Sequence, residues 1–314
     1  MNVAVSIPAA VDASHELVNA PPLSHETILE FREKGYIKLP KFLTPDCATE
    51  LKREALKHVV AAAAVDSDYG KTFKRLTYDL GQTDIVLRIV TANAYRRTVV
   101  DLIGNPMIVT EAQAFELGRQ REGFTWHYDS LSFRYIRPQD PGYSMWIPLD
   151  PVRAAAEGGG MAYVPESIFS ARTNFQLANL LSRKIVDGES LGDTPESLLK
   201  IYGKPGLLWD LFEQYKEEDD FEPGDAFLFR KSVWHRSSPF KEGGPESRLA
   251  VTIRHLDWRA RLDPIMFQGE TQTGGGVGMG TDWGTPKQTN YGAQFTDIQA
   301  GEEIRASRFC GKII

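Results

Sequence analysis

The first part of the chain has the spacing of hydrophobic residues that is typical of helices. Ser24 is a suitable N-cap for a helix that continues to Lys34, and Gly35 is a suitable stop. Residues 36–39 alternate between apolar and polar and predict a strand. Thr44-Pro45 then predicts the start of a second helix, with threonine as cap and proline in the first turn.

From about residue 78 the pattern changes to short runs rich in β-branched and aromatic residues, separated by glycine and proline turns. Helices followed by many short strands are the order expected of a β-barrel or a double-sheet jelly roll backed by helices. The sequence therefore predicts an α+β, mainly β, fold. The predicted strands are Ile85–Val90, Met107–Phe115, Phe133–Ile136, Ser144–Leu149, Met161–Val164, Ala226–Trp234 and Arg248–Leu256.

The domain organisation that we predict is a single domain over residues 23–314, preceded by a flexible tail over residues 1–22. The β-rich core covers about residues 78–258. Residues 171–220 are more helical and charged, and we interpret them as an inserted lid. Residues 265–314 form a C-terminal loop region, in which residues 270–296 are rich in Gly, Thr and Gln.

Composition and charge exclude several classes of partner. The 314 residues are 42% hydrophobic and carry a net charge of −6, without the clustered basic face of a nucleic-acid-binding protein. The one compact basic stretch, Lys71–Arg75, is short, and we interpret it as a solvated loop or helix end. No apolar run could span a bilayer and no secretory signal precedes the domain, so we expect no membrane partner. Cys47 and Cys310 are expected to be unpaired thiols. Unpaired thiols, together with the lack of a secretory signal and of a membrane span, predict a cytoplasmic protein.

The candidate chemistry lies at two of the six histidines. His127 and Asp129 are two positions apart, so on a strand both side chains would project from one face. His235 ends the run that follows the Pro223-Gly224 turn. Two imidazoles and one carboxylate that leave open coordination positions are diagnostic of non-haem iron(II) oxygenases. Zinc hydrolases use the same ligand types, but the chain has no His-Glu-x-x-His helix.

An oxygenase of this kind needs a cosubstrate such as 2-oxoglutarate, whose distal carboxylate suits the planar fork of an arginine. Arg248 lies thirteen residues after His235, and alternation puts it on one strand face with Ala250, Thr252 and Arg254. Arg248 is the first candidate anchor; Arg254 is a substitute, or a ligand for a substrate carboxylate. The simpler alternatives remain open: a core histidine at 127 and a surface ion pair at 248.

These residues resemble the phytanoyl-CoA dioxygenase-like family of Fe(II)/2-oxoglutarate-dependent oxygenases over about residues 26–258. No single motif is decisive, but the order and spacing of the motifs together are a strong indication. The motifs are Phe31–Leu43, Trp126-His127-Tyr128-Asp129, Met145–Asp150, Gly159–Ser167, Pro223-Gly224-Asp225, His235 and Arg248.

The resemblance implies a double-stranded β-helix core, of the jelly-roll or cupin-like type, backed by helices. It implies that His127, Asp129 and His235 bind Fe(II), and that Arg248 binds 2-oxoglutarate. Trp146 and Ser237 match positions that contact the cosubstrate, although a core aromatic would equally explain Trp146. With O₂ as oxidant, the expected reaction oxidises an unactivated C–H bond of a small molecule, a natural product or an amino acid.

Two further features bear on the reaction. Residues 165–168 read Pro-Glu-Ser-Ile, where the family has Pro-Gly-Ser-His. Asp129 is retained where halogenating relatives have a small residue, which favours hydroxylation, desaturation or cyclisation. Two other functions remain open on sequence alone: a cupin-like metal dioxygenase or isomerase that does not use 2-oxoglutarate, and a non-catalytic jelly-roll binding protein.

Overall fold

The structure is a computed structural model that describes residues 17–19, 22–63, 74–77, 80–189, 205–273 and 298–305. Most of the predicted tail, Cys310 and the part of the predicted lid between residues 190 and 204 lie outside the described residues. The helices are α1 (His25–Lys34), α2 (Pro45–Ala63), α3 (Asp84–Thr91), α4 (Asn93–Ile103), α5 (Ser130–Phe133), α6 (Arg172–Val186), α7 (Pro205–Tyr215) and α8 (Ile265–Thr273).

The N-terminal helices follow the sequence prediction. The Ser24 hydroxyl accepts a hydrogen bond from the Thr27 amide at 3.0 Å, and Gly35 ends α1 in the left-handed conformation, with φ at 82°. Thr44 caps α2 by accepting a hydrogen bond from the Cys47 amide at 3.3 Å. Cys47 is a buried free cysteine, and burial raises the pKa of its thiol to about 12.

In the described part of the chain, nine strands form two antiparallel sheets. The larger has the order β1-β7-β4-β9-β3-β2 and the smaller the order β6-β5-β8. The prediction of a mainly β jelly-roll core backed by helices is confirmed. The strands are β1 (Tyr36–Leu39), β2 (Arg75–Thr77), β3 (Met107–Gly118), β4 (Gly142–Pro148), β5 (Met161–Val164), β6 (Glu217–Glu218), β7 (Ala226–Arg230), β8 (Trp234–Ser237) and β9 (Ser247–Asp257).

The two faces of the larger sheet have different chemistry. On β9, Leu249, Val251 and Ile253 belong to the main hydrophobic core with residues of α2, α3 and α4. The opposite face of β9 carries Arg248 and Arg254, both buried. The alternation predicted from the sequence is therefore confirmed, and it places a polar surface inside the fold.

Three predicted strands are wrong in whole or in part. Residues 85–90 form helix α3, because Ile85, Val86, Ile89 and Val90 are spaced to bury one helical face. Their β-branched side chains favoured a strand, and packing against the core overrides that preference. Residues 133–136 do not form a strand: Phe133 ends the short helix α5, a turn follows, and Ile136 forms an isolated bridge. The run 226–234 is divided by a turn into β7 and β8, which belong to different sheets.

The described parts of residues 171–220 and 265–314 contain helices. α6 carries Asn179 and Arg183, whose side chains donate hydrogen bonds to Asp263 at 3.2 and 2.9 Å. α7 carries Glu213, which accepts a hydrogen bond from the Trp126 indole at 3.0 Å. Within the described residues, no helix has both the length and the apolar character needed to cross a membrane.

Candidate metal centre

His127 and His235 face each other across a single antiparallel bridge. Each amide donates to the carbonyl of the other residue, at 2.9 and 2.8 Å, and the ring centroids are 4.1 Å apart. His235 lies on β8 as expected. The prediction that His127 and Asp129 share a strand is wrong, because this bridge is isolated and Asp129 is the N-cap residue of α5.

The two imidazoles have the same orientation. Nδ1 of His127 donates to the Thr125 carbonyl at 2.7 Å, and Nδ1 of His235 donates to the Val233 carbonyl at 2.9 Å. Each ring therefore has Nε2 available as a lone-pair donor, which is the usual arrangement of histidines that bind metal. Burial lowers the pKa of both imidazoles, which favours the neutral form that a metal requires.

Asp129 brings the third ligand group to the same place. Its Oδ1 lies 3.8 Å from Nε2 of His235, and the three ligand atoms lie within 4.8 Å of one another. Its Oδ2 accepts hydrogen bonds from the Ser144 hydroxyl and from Nη1 of Arg254. Among the described residues, these three form the one cluster with the geometry for a metal ion. The donor set, two neutral nitrogens and one carboxylate oxygen, suits iron(II).

Arg248 lies on the polar face of β9 and is buried. Its Nε donates to the Gly159 carbonyl at 2.5 Å, and its guanidinium carbon is 5.1 Å from the centre of a Trp146 ring. Nη1 of Arg248 is buried with no hydrogen-bond partner among the described residues. Burial lowers the pKa of the guanidinium to about 10, so Arg248 remains charged at neutral pH. Arg248 is therefore a buried cation with an unused hydrogen-bond donor.

Arg254 has a different environment, which bears on its role as a substitute anchor. Besides Asp129, its Nη1 contacts the Ser144 hydroxyl, and its Nε lies 3.7 Å from a carboxylate oxygen of Glu111. The guanidinium therefore forms a hydrogen bond with the candidate ligand Asp129 and an ion pair with Glu111. Nε of Arg254 is buried with no hydrogen-bond partner among the described residues, so its alternative role as an anchor for an external carboxylate stays a prediction.

Trp146 and Ser237 lie on strands of different sheets, β4 of the larger and β8 of the smaller. Trp146 is a buried residue of β4 whose rings pack edge-on against Phe221. Ser237 is two residues after His235 on β8, where its amide donates to the Phe124 carbonyl at 2.8 Å. A Cβ atom at Gly123 would lie 2.3 Å from the Cβ of Ser237, so this glycine allows the segments around residues 123 and 237 to approach closely.

Sequence reasoning missed several polar residues of the interior. The stretch around Lys74 was expected to be solvated, but Lys74 is only 8% exposed, and its ammonium lies 4.0 Å from the Phe124 ring centre. Burial, and the nearby Arg248 and Arg254, hold the pKa of Lys74 well below its usual value. Residues 71–73 lie outside the described part of the chain. The missing signal was the pairing of β2 with β3, which turns this stretch inward.

Glu111 and Gln113 of β3 and Ser144 of β4 were also missed. Glu111 accepts a hydrogen bond from the Gln113 side chain at 2.7 Å, and burial raises the pKa of Glu111 to about 7. The alternation of Glu111 and Gln113 with Ala112 and Ala114 is a signal that could have identified them, because it predicts a polar inner face.

The comparisons with known proteins agree with this geometry. The family model for phytanoyl-CoA dioxygenase (PhyH) matches residues 31–184, which include His127, Asp129 and Trp146. Over these residues the chain matches the phytanoyl-CoA dioxygenase family. This family consists of enzymes that use iron(II), 2-oxoglutarate and O₂, so the chain is an Fe(II)/2-oxoglutarate-dependent dioxygenase. His235, Ser237 and Arg248 lie beyond the matched residues, and their assignment depends on the geometry.

Solved structures with the same fold include members of biosynthetic pathways. The α-ketoglutarate-dependent carbocyclase SnoK from nogalamycin biosynthesis has a TM-score of 0.58 and 16% identity, covering 92% of this chain and 96% of its own. The epimerase SnoN has a TM-score of 0.56 and 16% identity, over 88% and 94% of the two chains. EctD from S. alaskensis with bound Fe has a TM-score of 0.53 and 17% identity, over 80% and 82%. No curated protein matches the sequence significantly.

Proposed function

We propose that this dioxygenase binds Fe(II) through His127, Asp129 and His235 and uses it to oxidise a C–H bond of a small molecule. The observation that carries the proposal is the convergence of the three ligand atoms within 4.8 Å, with both imidazole Nδ1 atoms already bonded to backbone carbonyls. Iron(II) bound there would leave three coordination positions for 2-oxoglutarate and O₂, and would supply the oxidising chemistry.

Arg248 is the proposed anchor for the distal carboxylate of 2-oxoglutarate. The support is its burial, its retained charge and its unpartnered Nη1, because a buried donor without a partner is costly and a carboxylate would satisfy it. The Gly159 carbonyl fixes the orientation of the guanidinium through Nε. Trp146, which lies beside Arg248, and Ser237, which follows His235, are the further proposed contacts of the cosubstrate.

The proposed substrate is a natural product or an amino acid, and the reaction is hydroxylation, desaturation or ring formation. Support for a role in secondary metabolism comes from the carbocyclase and the epimerase of nogalamycin biosynthesis, which share the fold. The net charge of −6 gives no reason to expect a nucleic-acid partner. We propose that the enzyme works in the cytoplasm on a dissolved substrate. The described part of residues 171–220 is the proposed lid.

Anaerobic addition of Fe(II) and 2-oxoglutarate to the purified protein tests the metal and cosubstrate sites together. We expect a weak visible charge-transfer band that is absent from His127→Ala and Asp129→Ala. His58→Ala is the matched control, because His58 lies on α2 beside Glu54 and outside the site. A wild-type protein that binds iron but gives no band with 2-oxoglutarate would indicate a cupin-like enzyme without this cosubstrate. A protein that binds neither would indicate a non-catalytic jelly roll.

Substrate identity requires a separate measurement. Succinate release, followed across a panel of amino acids and natural products, reports turnover without knowledge of the oxidised product. A compound that increases succinate release in the wild type, but not in His127→Ala, is a substrate. Mass spectrometry of the same reactions then separates hydroxylation, which adds an oxygen atom, from desaturation and ring formation, which both remove two hydrogen atoms.

A further inference from the structure

We propose that Arg254 is a positioning residue for the metal centre, which acts with Ser144 to present one oxygen of Asp129 to the ion. The inference deepens the proposed function and rests on it. The two carboxylate oxygens of Asp129 have different partners. Oδ1 faces Nε2 of His235 at 3.8 Å, whereas Oδ2 is bonded by both Ser144 and Arg254.

The different partners of the two oxygens restrict how Asp129 can bind an ion. A carboxylate that is free to rotate can offer both oxygens to one metal, and would then occupy two coordination positions. With Oδ2 engaged by a hydroxyl and a guanidinium, Asp129 offers Oδ1 alone. A second position remains open for a cosubstrate, which is what a three-ligand oxygenase site requires. Ser144 and Arg254 therefore preserve the number of open positions.

The support for Arg254 extends across three neighbouring strands. In the larger sheet, Arg254 of β9 pairs with Ser144 of β4 on one side and with Glu111 of β3 on the other. The register of the sheet, rather than a flexible loop, sets these positions. Gln113 adds to the arrangement, because its amide donates to Glu111 at 2.7 Å and its carbonyl oxygen accepts from Nη2 of Arg254 at 3.5 Å.

Burial and charge explain why Arg254 needs acidic neighbours. Glu111, Asp129, Ser144 and Arg254 are all buried. A buried guanidinium is stable only when carboxylates or other acceptors surround it, and Arg254 has two carboxylates, Asp129 and Glu111. Oε1 of Glu111 lies 3.7 Å from Nε, near enough for an ion pair but without a hydrogen bond, while Nη1 donates to Asp129. Metal-binding carboxylates are commonly held in this way, and loss of such a partner weakens binding by 10–100-fold.

Cobalt(II) is the probe for this proposal, because it is stable in air and its visible bands weaken as its coordination number rises. We expect Arg254→Gln to weaken Co(II) binding by roughly 10–100-fold and to lower band intensity, as Asp129 becomes free to bind through both oxygens. Ser144→Ala should have a smaller effect in the same direction. Arg254→Lys, which keeps the charge and loses the planar fork, should fall between wild type and Arg254→Gln.

Arg230→Gln is the matched control, because Arg230 also bonds to a buried carboxylate, that of Glu166 at 2.8 Å, outside the site. It should lower the thermal stability of the metal-free protein and leave the Co(II) dissociation constant and spectrum unchanged. Co(II) binding by Arg254→Gln that equals wild type overturns the proposal. If Arg254→Gln does not fold, unchanged binding in both Arg254→Lys and Ser144→Ala overturns it. Failure of the wild type to bind Co(II) would instead refute the metal site itself.

Discussion

The Nε atom of Arg248 and the carbonyl oxygen of Gly159 are 2.5 Å apart, so a backbone turn holds the buried cation in one orientation. Gly159 has a φ of +72°, which favours glycine, and Phe240 packs against the position where a side chain would begin. The proposed cosubstrate anchor therefore depends on a turn that is far from it in sequence. This relationship gives two predictions.

Arg248→Lys should weaken the binding of 2-oxoglutarate by about 10–100-fold. Lysine retains the charge but cannot form two parallel hydrogen bonds to a carboxylate, and one charge-assisted bond contributes about 1.5–3 kcal/mol. Titration of the anaerobic iron protein with 2-oxoglutarate measures the change. Co(II) affinity should be unchanged, as should cosubstrate affinity in Arg119→Lys, which pairs with Glu246 at the surface. Equal cosubstrate affinity in Arg248→Lys and wild type would refute the anchor.

Gly159→Ala should reduce both stability and 2-oxoglutarate affinity. A Cβ atom there would lie 2.1 Å from a ring carbon of Phe240, in a conformation that favours glycine, so the ring or the turn must shift, and a shift of the turn moves its carbonyl. We expect a loss of roughly 1–3 kcal/mol in the free energy of unfolding. Gly104→Ala is the control, because Gly104 has a φ of +85° and no atom within 4 Å. If both variants bind 2-oxoglutarate like wild type, the turn does not position Arg248.

Asp129→Ala should destabilise the metal-free protein by roughly 3 kcal/mol, because it leaves the buried guanidinium of Arg254 without one of its two carboxylates. Formate, a small carboxylate, should recover part of this stability by occupying the space beside Arg254. Thermal unfolding with increasing sodium formate measures the recovery, with sodium chloride at equal ionic strength as reference. His127→Ala should show no formate effect. The expectation fails if formate acts equally on both variants.

His255 should make the protein acid-sensitive. It is fully buried and shares a 2.7 Å hydrogen bond with the Tyr95 hydroxyl, and burial lowers its pKa to about 3. The unfolded chain binds a proton at His255 below about pH 6.5, whereas the folded chain does not. Stability is therefore complete above pH 6.5 and is lost as the pH falls towards 3, by about 1.4 kcal/mol for each pH unit.

Urea unfolding at pH 7 and pH 5 tests this assignment. Wild type should lose about 2 kcal/mol more between these pH values than His255→Asn, in which the buried imidazole is absent. His58→Asn, a change of the half-exposed histidine on α2, should retain the wild-type dependence on pH. A pH dependence that is the same in His255→Asn and wild type would exclude His255 as its source.

The chemistry of the site was more predictable than its local structure. Residue type and order were enough to select His127, Asp129 and His235, because few side chains bind iron. Their backbone was not predictable from a period-two pattern, because one bridge and the start of α5 hold His127 and Asp129 instead of a strand. Ser144 was not predicted either, because a single serine in an apolar strand has no sequence pattern that indicates its role.

Burial explains the other differences between the sequence predictions and the fold. Four of residues 85–90 are β-branched and apolar, but they pack on the core from one face of a helix. Lys74 belongs to a basic stretch that a local reading assigns to solvent, and only the long-range pairing of β2 with β3 turns it inward. Both errors concern tertiary context, which a window of ten residues does not contain.

The bridge between His127 and His235 joins two segments that are about a hundred residues apart in sequence. An ion held by both segments would be a removable cross-link, and it would stabilise only the folded chain. Free metal at a hundred times its dissociation constant would add about 2.7 kcal/mol to the free energy of unfolding. Resistance to proteases would then rise and fall with iron supply, so a shortage of iron would reduce the lifetime of the enzyme as well as its activity.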